Sequence, residues 1–261
     1  MANFKIATFN ANSIRVRLDQ ILSWIEANDA DVVCIQETKV QDKDFPQAPI
    51  KEAGLNVIFA GQKSHAGVAI IARPELKDVQ AGFDNGDDKA RLLRAEINGV
   101  HVVNTYVPQG RSPDSDQFAY KLAWFERVHQ LFDDHYTPDD PLIWLGDFNV
   151  AMEDIDVYDP DRLRGHVDFH PEAQAALKKV QAWGFVDVFR KHHPDEPEMF
   201  TYWDYRARNP IERGVGWRVD HIWATQALAE KSKGAWIDVE ARKADRPSDH
   251  TLLVAEFDLD G

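Results

Sequence analysis

Leu142–Asn149 reads Leu-Ile-Trp-Leu-Gly-Asp-Phe-Asn, a stretch that belongs in the middle of a sheet. Four large apolar residues in a row describe a buried strand. The glycine then hands the chain to a carboxylate and an amide. In extended backbone, residues two apart point the same way, so Asp147 and Asn149 share a face while Phe148 turns to the core. The carboxyl end of a core strand is where α/β proteins commonly place chemistry.

The same ending recurs along the chain. Phe4–Phe9 is apolar-rich and ends at Asn10, with Asn12 two residues on. Leu18, Ile21, Leu22 and Ile25 follow with helical spacing, and the segment from Asn28 to Asp31 stops that helix. Asp31–Gln36 is the next buried strand and delivers Glu37. Pro46 and Pro49 mark a surface loop. Leu55–Ala60 and Gly67–Ala72 read as a strand pair. Leu92–Ile97 and His101–Val107 flank the hairpin signal Asn98-Gly99, and the second arm ends at Tyr106. Phe118, Leu122, Phe125 and Phe132 mark a helix facing the sheet, and Ala173–Trp183 marks another. Trp217–Trp223 and Leu252–Phe257 are the last strands. No linker or low-complexity tract divides the 261 residues. The reading is one domain over 1–261: an α/β sandwich of four layers, two mixed sheets face to face with helices outside.

Bulk properties narrow the class without fixing it. A 44% apolar, 28% charged composition is that of a globular chain, and no apolar run reaches membrane-spanning length. The single cysteine, Cys34, lies in an apolar run and reads as core, which points to a reducing, cytoplasmic setting. A net charge of −14 argues at first against nucleic acid, yet enzymes that use divalent metals concentrate carboxylates on purpose.

The strand ends collect Asn10, Glu37, Tyr106, Asp147 with Asn149, Asp220, and Asp249 with His250. Mg²⁺ suits this inventory, since it takes oxygen ligands and is held by one or two carboxylates plus substrate phosphate. Mn²⁺ is the natural substitute. Zinc suits it less, with one thiol and scattered histidines. His166 and His170, four apart before Pro171, read as solvent-facing loop residues. Phosphoester hydrolysis needs a base for water and donors for the charge growing on phosphate, and the remaining groups offer both. From Phe200 to Val219, Phe200, Tyr202, Trp203, Tyr205 and Trp217 alternate with Arg206, Arg208, Arg213 and Arg218. Arginines meet phosphates, and flat walls can receive a sugar that lacks its base.

Six pieces carry a resemblance: Thr-Phe-Asn-Ala-Asn (8–12), Gln-Glu-Thr-Lys (36–39), Tyr-Val-Pro-Gln-Gly (106–110), Gly-Asp-Phe-Asn (146–149), Gly-Trp-Arg-Val-Asp-His (216–221) and Ser-Asp-His (248–250). Together they resemble the exonuclease III family of abasic-site (AP) endonucleases, within the endonuclease/exonuclease/phosphatase superfamily, from Phe4 to Phe257. The resemblance implies that Glu37 is the Mg²⁺ carboxylate with Asn10 close by. Asp249 is a further carboxylate on the metal side, where Asp147, Asn149 and His250 also stand. It implies that Asp147 orients or deprotonates the attacking water, that Asn149 and Tyr106 contact the phosphate, and that Asp220 orients His250. Tyr202, Trp217 and Val219 line the pocket for a flipped abasic sugar, with Asn12, Gln109, Trp203 and Arg206 on the substrate side.

The implied activity is hydrolysis 5′ to abasic sites in duplex DNA by a monomer, with 3′-end trimming as a companion. Two rivals stay open. One is a superfamily phosphoesterase acting on a lipid headgroup or small molecule. The other is an inactive nucleic-acid-binding regulator, which would have lost the acids that are present here.

Overall fold

The computed structural model describes residues 3–260, and Met1, Ala2 and Gly261 lie outside them. The strands are β1 (Asn3–Asn10), β2 (Val32–Gln36), β3 (Asn56–Ala60), β4 (Val68–Ala72), β5 (Lys77–Ala81), β6 (Leu92–Ile97), β7 (Val100–Tyr106), β8 (Leu142–Asp147), β9 (Phe185–Asp187), β10 (Asp220–Thr225), β11 (Ser232–Asp238) and β12 (Leu252–Asp258). The helices are α1 (Ile14–Asn28), α2 (Gln47–Glu52), α3 (Asp116–His135), α4 (Pro160–Leu163), α5 (Pro171–Gln181), α6 (Val188–His192) and α7 (Gln226–Glu230). Two six-stranded sheets result, in the orders β11-β12-β1-β2-β4-β3 and β5-β6-β7-β8-β10-β9. Each holds one parallel pair, β1 with β2 and β7 with β8, and is otherwise antiparallel.

The layers follow from strand alternation. On β1, Phe4 and Ile6 face the second sheet, while Ala7 and Phe9 face α1 and its Ile14, Leu18, Ile21 and Ile25. On β8, Ile143 and Leu145 face the first sheet, while Trp144 packs on α3 through Phe125 and Phe132 and on α5 through Leu177. Three apolar slabs therefore separate four layers, and Cys34 lies in the middle one. Among the described residues no helix is long and apolar enough to cross a membrane.

The middle slab changes character toward one rim. Reading the inward residues along each strand gives Phe4, Ile6, Thr8, Asn10; Val32, Cys34, Gln36; Val100, Val102, Asn104, Tyr106; and Ile143, Leu145, Asp147. Thr8, Gln36 and Asn104 are fully buried and satisfy one another: Gln36 Nε2 donates to Asn104 Oδ1 at 2.7 Å and to Thr8 Oγ1 at 2.9 Å. Pairing of buried polar groups makes that transition tolerable. Gly146 permits the last step. Its φ is +139°, and a Cβ there would stand 1.9 Å from the Thr105 carbonyl oxygen of β7.

Several elements depart from the sequence reading. Pro49 lies in the first turn of α2, where a missing N–H costs nothing, so the expected loop is a short helix over buried Ile50. Strand β10 begins at Asp220; Trp217 before it makes only isolated bridges to Val157 and Tyr202. Helix α5 starts two residues early, with His170 as its N-cap accepting from Glu172 N. Edge strands β5, β9 and β11 have weak alternation and gave no sequence signal.

Candidate active site

Strand register brings the polar ends together. Asn10 lies beside Gln36, one residue before Glu37, through the parallel pair of the first sheet. Asp147 pairs with Tyr106 on one side and with Asp220 on the other in the second sheet. The Asn10 side-chain amide joins the sheets, donating to Glu37 Oε1 at 3.0 Å and to Asp147 Oδ2 at 2.8 Å. Tyr106 Oη donates to Glu37 Oε1 at 2.8 Å. Asp147 Oδ1 accepts from Asn149 N at 2.9 Å, closing a turn in which Asn149 adopts φ +51°. The two side chains meet one cavity through that turn rather than through continued extended chain.

His250 enters from the segment before β12. Its Nδ1 stands 2.8 Å from Asp220 Oδ2 and its Nε2 3.9 Å from Asp147 Oδ2. Burial works against the imidazolium, but Asp220, Asp147 and Asp249 outweigh it and push His250 up to about 10. Burial raises Asp147 to about 8, with His250 opposing and Asp220 adding to the rise. Glu37 goes the other way. Burial disfavours its anion, yet the Lys39 ammonium at 2.6 Å and the Asn10 amide hold it below the ordinary carboxylate range.

These groups open on a cavity of about 340 Å³ lined by Glu37, Tyr106, Gln109, Asp147, Asn149, Asp168, Tyr202, Arg206, Trp217, Val219, Asp249 and His250. Tyr202 bridges to Trp217 and to His250, so the aromatic wall is bonded to the polar floor. Asp249 Oδ1 accepts from Asn12 Nδ2 at 3.0 Å, and Asn12 Oδ1 accepts from Lys39. Asn10 and Asp220 are fully buried behind the lining. Asp220 Oδ1 is a buried acceptor with no hydrogen-bond partner among the described residues. The donor set fits a hard cation: carboxylate oxygens of Glu37 and Asp147 converge from the two sheets on one amide, with Asp249 near the same floor. Carboxylate oxygens of Asp147 and Asp220 and a ring nitrogen of His250 also lie within 4.8 Å of one another.

Two expectations for the aromatic segment are corrected. Trp203 is 3% exposed; its backbone N–H bonds the Asp249 carbonyl at 2.8 Å and it packs against Gly216, so it supports the wall from behind and does not line the cavity. Arg218 is fully buried, donating to both oxygens of Asp156 at 2.8 and 3.1 Å and to Asp187 at 2.8 Å. Arg206 does reach solvent, held by Asp204, with its side chain 89% exposed.

Two residues of the site had no place in the sequence reading. Asp168 lines the cavity and accepts from Gln109 Nε2 through both oxygens, at 3.1 and 3.0 Å. Beneath it the buried Lys121 ammonium donates to the carbonyls of Gln109, Asn149 and Val167 at 3.1, 2.6 and 3.1 Å. Burial pushes Lys121 below its usual range, and Asp168 opposes that shift. Helical spacing does carry the Lys121 signal, three residues after Phe118 and four before Phe125. Asp168 left no mark in the sequence.

The model of the Endonuclease/Exonuclease/phosphatase family matches residues 7–250. Exodeoxyribonuclease III of Haemophilus influenzae is 33% identical, over 97% of this chain and 99% of its own length. An AP endonuclease from Archaeoglobus fulgidus superimposes with a TM-score of 0.96 at 47% identity, covering 98% of this chain and 100% of that one. A 3′ phosphatase from Neisseria, bound to a product DNA hairpin, superimposes with a TM-score of 0.93 at 34% identity, covering 98% and 99%.

Proposed function

The chain belongs to the endonuclease/exonuclease/phosphatase family, and from that premise we propose that it is a DNA-repair phosphodiesterase. It would act as a single catalytic unit and a monomer, cleaving 5′ to abasic sites in duplex DNA and trimming 3′ ends as exonuclease and 3′-phosphatase. One observation carries the chemistry: Asn10 draws Glu37 of one sheet and Asp147 of the other to a single point, beside a His250 held by Asp220. The relatives named above include an AP endonuclease and a 3′ phosphatase bound to DNA, which supports DNA over a small phosphoester. The exposed Arg206 beside the aromatic wall suits a phosphate backbone passing the cavity.

Glu37 and Asp249, with Asn10, Asp147 and Asn149 around them, would hold Mg²⁺, for which Mn²⁺ can substitute, while His250, being protonated, would stand beside the cation and not ligate it. The metal supplies charge stabilisation at the leaving oxygen. The rest falls to the chain itself. Asp147, made more basic by burial, takes a proton from water as the new oxygen–phosphorus bond forms. The His250 cation, the Asn149 amide and the Tyr106 hydroxyl meet the phosphate oxygens, and the bond to the 3′ oxygen breaks, its electron pair staying on that oxygen, which takes a proton from solvent water to leave as the 3′-hydroxyl. Asp220 keeps His250 oriented and protonated. Tyr202, Trp217 and Val219 enclose the base-less sugar, while Asn12 and Gln109 sit at the edges of the floor.

The test is an end-labelled duplex with one abasic analogue beside an intact duplex with a 3′-phosphate, each with Mg²⁺ and with excess chelator. Cleavage 5′ to the analogue and release of phosphate are expected with Mg²⁺ and absent with chelator. A product that survives chelation sinks the mechanism. The pH profile gives a second check. With Asp147 at about 8 and His250 at about 10, kcat/KM should climb as Asp147 loses its proton and fall as His250 loses its own. A divalent cation beside Asp147 favours its anion, so raising Mg²⁺ should move the rising limb to lower pH. A limb that ignores Mg²⁺ would separate Asp147 from the metal site.

A further inference from the structure

We propose that Asp168 is a specificity residue that accepts a hydrogen bond from the C1′ hydroxyl of the base-less sugar. The inference rests on the reading of the cavity as an abasic-site pocket. Of the four carboxylates that line this cavity, Glu37, Asp147 and Asp249 belong to the proposed cation site and Asp168 does not, so with no cation to face it would repel the substrate's phosphate. It has to face a part of the substrate that is neutral and donates.

The position of Asp168 meets that requirement. His166, two residues before it, lays its ring 4.9 Å from Trp217, and Phe169, after it, packs under Val219. The carboxylate therefore lines the same cavity as Trp217, Val219 and Tyr202, on the side reached by the loop that carries His166 and Phe169.

Its acceptor capacity is not used up. A carboxylate offers about four lone-pair sites. Oδ1 faces Lys121 at 3.5 Å, and both oxygens share the Gln109 amide. His166 Nδ1 is 3.7 Å from Oδ2, beyond hydrogen-bond reach, and accepts from the Asp168 backbone N–H instead. Oδ2 is left with open sites in a side chain that is 17% exposed. Lys121 offsets the charge from below and, by bonding three loop carbonyls, fixes where the carboxylate stands.

The natural abasic sugar is a hemiacetal and carries a hydroxyl on C1′; its tetrahydrofuran analogue does not. Wild-type kcat/KM should favour a duplex with the natural site, made by removing uracil, over the tetrahydrofuran duplex. The expected preference is roughly tenfold, the worth of one hydrogen bond to a charged acceptor. Asp168→Ala should bring the ratio of the two rates near one, and Asp168→Asn, which keeps a neutral acceptor, should fall between. The ratio within one variant is insensitive to general damage, which slows both duplexes alike. A wild-type ratio near one, or a preference that survives Asp168→Ala, overturns the inference and leaves the abasic-site reading standing. Cleavage of neither duplex by wild-type protein overturns both.

Discussion

Asp147→Asn should lower kcat on the abasic duplex by about a thousandfold, within the range assigned to a positioned acid or base, while the protein stays folded. The substitution is close to isosteric. An amide oxygen can still accept from the Asn149 N–H, which now meets Asp147 Oδ1 at 2.9 Å. Two things are lost. The proton acceptor for water disappears, and so does one of the charges that hold His250 cationic. The amide nitrogen would also face the Asn10 amide, donor against donor, where the carboxylate accepts at 2.8 Å. Single-turnover kinetics with a thermal melt of the same sample separates chemistry from stability. A loss under tenfold in a folded variant would remove Asp147 from the reaction.

Arg218→Leu should cost about 3–5 kcal/mol of stability, the usual result of removing one partner from a buried ion cluster. Arg218 and Asp156 have no exposed side-chain surface and Asp187 very little. Without the guanidinium, Asp187 keeps the Arg190 backbone N–H and a distant contact with His221, and Asp156 keeps the Arg190 side chain and the Met152 and Glu153 N–H groups, so Arg190 is the one full cation left to the pair. Burial disfavours both anions, but Arg218 prevails and holds Asp156 and Asp187 below the usual carboxylate range. Groups depressed in this way contribute stability above the unfolded value, roughly 4, and lose it as pH falls through their folded values. The gap between wild type and Arg218→Leu should thus be full at neutral pH and shrink in acid. Denaturant midpoints across pH would reveal it, and a gap that does not change with pH would refute the electrostatic account.

Arg218 also shows what the sequence could and could not disclose. Strand alternation around Trp217 and Val219, both facing the cavity, already turns the residue between them inward. Composition pulls the other way, since arginine beside aromatics suggests a phosphate surface. The same composition misplaces Trp203, which is buried. The residues ending buried strands were legible for the opposite reason. An apolar run that terminates in a carboxylate or amide can satisfy that group only at a rim, and Asn10, Tyr106 and Asp147 all stand there. The four layers followed from the same alternation. Asp168 could not be foreseen, because it sits in an unpatterned loop and its partners Gln109 and Lys121 lie 59 and 47 residues away. The Thr8–Gln36–Asn104 trio was hidden as well, each residue looking like an ordinary interruption of an apolar strand.

Since Asn10 and Glu37 ride on one sheet and Asp147, Asp220 and Tyr106 on the other, no single layer owns the proposed catalytic apparatus. Its dimensions are set by how oily side chains such as Ile6 and Leu145 mesh several residues away. Trimming either of them, though both are fully buried and neither lines the cavity, would let the halves slide and uncouple the proposed proton acceptor from the cation site. Turnover would then fade on warming before the chain melts.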